Sequence, residues 1–99
     1  MEKQKPHYLL KAIQAQMSTP EMMNLTRSAL DGMRAIGLAQ SDALVIIQAL
    51  TGANFYKSMT THTDHRTLQD VYHAEWQEIA LYIKFQQAGE YFVISFKER

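Results

Sequence analysis

Ninety-nine residues with no cysteine, and ten Lys and Arg against ten Asp and Glu, exclude several classes at once. The length fits one domain, residues 1–99, with one core; an apolar fraction of 46% is far from that of a disordered chain; and without thiols there is no disulfide framework and no thiolate metal site. A formal net charge of zero argues against a protein that coats nucleic acid, though not against one that holds a few nucleotides in one cleft.

The expected elements fall into two regimes, helical over residues 1–52 and strand-like over 53–99, which predicts an α+β fold with N-terminal helices on one face of a small antiparallel sheet. A first helix is expected from Pro6, with Leu9, Leu10, Ile13 and Met17 on its apolar face. It ends at Ser18-Thr19-Pro20, because the residue before a proline avoids the helical region. Thr26 caps a second helix carrying Ala29, Leu30, Met33 and Ile36, and Gly37 stands where a helix terminates. Ser41 is the expected cap of a third helix, largely apolar through Leu44, Val45, Ile46, Ile47 and Leu50, which Gly52 closes.

Two strands are expected around 55–60 and 67–76. From 79 to 85 the alternation is strict: Ile79, Leu81, Ile83 and Phe85 on one face, Ala80, Tyr82 and Lys84 on the other. Gly89 marks a hairpin turn, after which Phe92, Ile94 and Phe96 take the core face. Tyr91, Val93, Ser95 and Lys97 take the other.

Chemistry is sought on the non-core face. Tyr82, Lys84, Ser95 and Lys97 offer hydroxyl donors and cations, the groups a phosphate needs, although a plain solvated face carries the same residue types. The segment Phe55-Tyr56-Lys57-Ser58-Met59-Thr60-Thr61 interleaves aromatics with a cation, as base-stacking surfaces do, and also suits an ordinary two-faced strand. His62, Asp64 and His65 cluster without the spacing or further ligands of a metal site, so no metal and no cofactor are expected. His7 and His73 read as structural or exposed. There is no nucleophile elbow and no Gly-rich phosphate loop.

Several stretches resemble one family. Met1-Glu2-Lys3 with Pro6-His7, Thr26-Arg27-Ser28-Ala29-Leu30, the block from Phe55 to Thr61, Asp64-His65, Gln69-Asp70-Val71-Tyr72 and Ser95-Phe96-Lys97-Glu98 together resemble the MqsR toxins of bacterial toxin–antitoxin systems. These are sequence-specific mRNA interferases with a fold like that of the RelE and YoeB ribonucleases. The resemblance implies four active-site residues: Lys57, Gln69, Tyr82 and Lys97. Tyr56, Lys84 and Arg99 are the expected RNA-binding neighbours. Gln69 shares its face with Val71 in a regular strand, so a bulge or an edge position is expected there. The segment between the first two helices, His62, and the residues after Tyr72 depart from the family pattern.

What the resemblance implies further is metal-independent cleavage of mRNA at GCU-type sites. The 2′-hydroxyl attacks the adjacent phosphate while Lys57 or Lys97 serves as base or charge stabiliser. It also implies a cognate antitoxin, MqsA-like, with a zinc-bearing domain and a helix-turn-helix, through which the toxin would meet operator DNA indirectly. Strand edges are the expected docking sites. No apolar run approaches the roughly 20 residues of a membrane span, and the opening residues lack a signal-peptide pattern, so the bacterial cytoplasm is the expected location. Two other readings compete: a non-catalytic partner-binding module, and a metal-assisted nuclease built on His62, Asp64 and His65.

Overall fold

The computed structural model describes residues 2–60, 67–88 and 91–99. Among these residues six strands form one sheet: β1 (Glu2–Lys3), β2 (Asn24–Leu25), β3 (Phe55–Thr60), β4 (Leu68–Trp76), β5 (Ile79–Ala88) and β6 (Tyr91–Glu98). Their order across the sheet is β1-β3-β4-β5-β6-β2. The alternation of β5 and β6 is realised as read: Leu81, Ile83, Phe85, Ile94 and Phe96 are buried, with α1 (Leu10–Gln16), α2 (Arg27–Ala35) and α3 (Gln40–Ala49) on that side. Ile13, Met33 and Ile47 from the three helices, with Met17 at the C-terminal cap of the first, meet them in one core. Each such fully buried side chain contributes about 1.5–3 kcal/mol relative to exposure.

The sheet is mixed rather than purely antiparallel. β2 runs parallel to β6, with Asn24 opposite Val93 and Leu25 opposite Ile94. A two-residue strand has no periodicity to reveal it. It forms because the chain entering α2 is pinned along β6, where the Thr26 amide donates to the Ile94 carbonyl at 3.1 Å. The Thr26 hydroxyl then accepts from the Ala29 amide at 3.0 Å, the expected cap. Gly37 follows α2 with a φ of 74°, a conformation that favours glycine.

Three helix boundaries differ from expectation. The first helix starts at Leu10 rather than near Pro6, because the amides of His7 and Tyr8 are held by the Asp70 carboxylate at 2.8–3.0 Å and the chain stays non-helical there. Ser41 does not cap the third helix. That helix begins at Gln40, and Asp42 folds back to accept from the Ala39 amide at 3.1 Å. It ends at Ala49, and Gly52 opens a short 3-10 turn, Gly52–Asn54, capped by Thr51.

Asp70 is fully buried, and its carboxylate ties the N-terminal segment to the centre of the sheet. Tyr8 adds a second tie, its hydroxyl donating to the Leu68 carbonyl at 2.6 Å. Two glutamines lock α1 to α3: Gln14 Nε2 donates to the Ile47 and Leu50 carbonyls, and Gln48 Nε2 to those of Gln14 and Met17. These bonds satisfy carbonyls that helix ends leave unpaired. The hairpin turn at Gly89, expected between β5 and β6, lies outside the described residues.

Candidate active site

The site begins with a bulge. β3 pairs antiparallel with β4, Phe55 opposite Tyr72 and Lys57 opposite Val71, which leaves Tyr56 as an extra residue in the ladder. A bulge sets two residues against one and turns both the same way. Phe55 stays with the core, edge-on to Tyr72 at 5.5 Å. Tyr56 and Lys57 both reach the opposite face, where the Lys57 Nζ lies 5.3 Å from the Tyr56 ring centroid.

The antiparallel register then lines up residues from four strands. One row across the sheet runs His73, Tyr82 and Lys97; the next runs Lys57, Val71, Lys84 and Ser95. Tyr56, Lys57, Val71, Tyr82, Lys84 and Lys97, with Met59, line a cleft of about 200 Å³. The lining contains three lysines and no carboxylate. A cleft of that kind concentrates positive potential, which attracts a phosphodiester even when the whole chain is neutral.

The structure therefore brings together Lys57, Tyr82 and Lys97 of the four expected active-site residues, with Tyr56 and Lys84 of the expected RNA-binding set. Gln69 lies on the same face but one ladder step away, opposite Met59 on one side and Gln86 on the other. Its Nε2 donates to Gln86 Oε1 at 3.0 Å. The bulge expected at Gln69 is not in its strand: β4 is regular against β5 throughout, and the irregularity sits in β3 at Tyr56. Gln69 and Val71 share a face after all, because Val71, only 2% exposed, is the apolar floor of the cleft. Arg99 stands at the rim, its guanidinium carbon 5.8 Å from the Tyr82 ring centroid and its amide tied to the Ala80 carbonyl at 2.8 Å.

One residue packed against the cleft's aromatics, though lining the depression beside it, was read as merely structural or exposed. His73 stacks on Tyr56 at 4.2 Å and meets Tyr82 edge-on at 4.9 Å. Desolvation, aided by the Arg99 charge, holds its imidazole below the usual histidine pKa. The signal was available, since positions 69, 71 and 73 share one face of any regular strand. The His62, Asp64 and His65 cluster lies outside the described residues, and among the described residues no three His, Asp or Glu side chains gather as a metal site.

Residues 5–98 match the family described as "Motility quorum-sensing regulator, toxin of MqsA". The mRNA interferase toxin MqsR of Escherichia coli (strain K12) is 34% identical over 99 residues, covering 100% of both chains. A family match across nearly the whole chain, joined by end-to-end similarity to that relative, places this chain in the MqsR toxin family.

Proposed function

We propose that the chain is a metal-independent endoribonuclease toxin, one domain over residues 1–99, that cleaves mRNA in the lysine-lined cleft. The observation that carries this reading is the convergence of Lys57, Lys84, Lys97 and Tyr82 on one small cleft without a carboxylate. The relative's name, mRNA interferase toxin, supports it.

RNA carries its own nucleophile, so the protein needs no activated side-chain oxygen. The 2′-oxygen gives its proton to a base in the cleft as it bonds to the adjacent phosphorus, the bond to the 5′-oxygen breaks, and the products are a 2′,3′-cyclic phosphate and a 5′-hydroxyl. Charge accumulates on the phosphorane oxygens, where Lys57 and Lys97 stabilise it more in the transition state than in the ground state. Tyr82 hydrogen-bonds the phosphate and supplies a proton to the departing 5′-oxygen. Tyr56, Lys84 and Arg99 hold flanking nucleotides by stacking and charge. Gln69, turned toward Gln86 here, reads a base edge or phosphate from one ladder step away.

Cleavage at GCU-type sites, action in the bacterial cytoplasm and restraint by a cognate zinc-bearing helix-turn-helix antitoxin, with operator DNA reached only through it, belong to the same proposal. The family's description as toxin of MqsA supports the antitoxin. The two-residue strands β1 and β2 at the sheet edges are the proposed docking positions.

The test is to incubate the purified chain with an unstructured RNA, with and without a chelator, and to map the ends. Cleavage that survives the chelator and leaves cyclic phosphate ends is expected. Lys57→Ala, Tyr82→Phe and Lys97→Ala should each slow it by on the order of 10²-fold. Full cleavage by all three variants, or loss of wild-type cleavage on chelation, would overturn the proposal.

A further inference from the structure

One imidazole stands directly behind two aromatic side chains of the cleft, Tyr56 and Tyr82, in the adjoining depression that it lines with Asn54, Glu75 and Arg99. His73 is in register with Tyr82 on β5 and stacks on Tyr56 from β3. Its ring is half-buried, and its Nε2 is covered and has no hydrogen-bond partner. A covered imidazole nitrogen without a partner is costly to keep, and a group held that way against the wall of a reaction cleft calls for a chemical explanation.

We infer that His73 is the residue that takes the 2′-hydroxyl proton, with Nε2 as the accepting atom. This rests on the ribonuclease reading of the cleft and replaces a lysine as base. Tyr56 is assigned as the gate within the same inference: it is 45% exposed and stacks on the imidazole at 4.2 Å, and a nucleobase that draws it away opens the ring to the cleft. The step balances. The 2′-oxygen gives its proton to Nε2 as it bonds to phosphorus, the bond to the 5′-oxygen breaks, and that oxygen takes a proton from Tyr82. Imidazolium and phenolate then exchange protons with solvent.

Chemistry favours His73 over an amine. A base works best when its pKa lies near the operating pH, and an imidazole starts there. Register positions around it carry Lys57 on β3, Lys84 and the Tyr82 phenol on β5, Lys97 on β6 and Arg99 just beyond it, and of these the Arg99 charge favours the neutral form. Glu75, which shares a shallow depression with His73 and Arg99, is the one nearby carboxylate there. Burial and the Arg99 charge lower the histidine pKa, so the free base dominates at neutral pH.

Single-turnover cleavage of an unstructured RNA, followed from about pH 5 to 8, tests the assignment. The wild-type rate should rise with pH through a limb lying below the usual histidine value. His73→Gln should lose on the order of 10²-fold and the limb with it. His73→Ala, checked for wild-type circular dichroism, should recover activity when free imidazole is added. Wild-type cleavage with an unaltered rate and limb in His73→Gln overturns this inference and leaves the ribonuclease reading standing. So does a slow His73→Ala that keeps the limb and ignores imidazole. Absence of cleavage by the wild type removes both.

Discussion

Substituting Gly32 by alanine tests how closely α2 is seated on the strand that carries Lys97. In an ordinary exposed helix interior this change stabilises by about 1 kcal/mol, because glycine costs more backbone entropy. Here an added Cβ would lie 2.8 Å from the Phe96 carbonyl oxygen. That oxygen belongs to the backbone of β6, so no side chain can rotate away. To reach the 3.4 Å of ordinary contact, α2 and β6 must separate by roughly 0.6 Å. Forcing a packed interface apart costs about 1–3 kcal/mol. The net expectation is a loss of about 1 kcal/mol, which lowers the melting temperature of a domain this size by about 4–8 °C. Lys97 follows Phe96 directly, so the same shift displaces its ammonium. A misplacement of that size should slow RNA cleavage on the order of tenfold. Thermal unfolding by circular dichroism, with cleavage measured on the same samples, gives both numbers. A variant that melts at or above the wild-type temperature would refute the close approach, since helix propensity would then have prevailed.

Asp70→Asn keeps the side-chain shape but removes the charge that the His7 and Tyr8 amides bond to. A loss of about 2 kcal/mol in urea unfolding is expected, and a change under about 0.5 would show the N-terminal segment to be held by other contacts. The β4–β5 turn places Gln77 and Glu78 at φ of 47° and 69°, where neither residue type is at ease. Gln77→Asn with Glu78→Gly should therefore stabilise by about 1–2 kcal/mol in the same assay. The Tyr72 phenol is pushed up to about 12 by burial and by the Asp70 carboxylate. A folded-state value above the unfolded 10.0 means its contribution is complete below pH 10 and lost as pH rises toward 12. Alkaline unfolding curves should show that loss in the wild type and a shallower decline in Tyr72→Phe.

Much of the candidate site was legible because β-strands encode facing locally. The alternation of 79–85 put Tyr82 and Lys84 off the core, and the same rule put Lys97 with them. Lys57 was reached by resemblance, not by period, and its orientation depends on a bulge at Tyr56 that no local pattern announces. Val71 misled for a related reason. A single apolar residue on a polar face looked like a register conflict, whereas the lysines around it make it a floor. His73 carried no motif, and its position against the cleft arises from Tyr56, seventeen residues upstream, and Tyr82, nine downstream.

Local residue order settled the core faces of β5 and β6, the Thr26 cap and the Gly37 terminator, because each depends on residues within a turn or two of one another, and the change of period between the two halves of the chain settled the class of fold. Tertiary structure alone decided the parallel edge strand at Asn24–Leu25, the late start of α1 and the burial of Asp70. Those depend on partners about sixty to seventy residues away, such as Asp70 for His7 and Val93 for Asn24. The opening balance of ten basic and ten acidic residues belongs to both levels. Composition set the sum at zero, but only the strand register could gather three lysines into one cleft and keep carboxylates off its lining, because charge acts through distance in space and not through position in the chain.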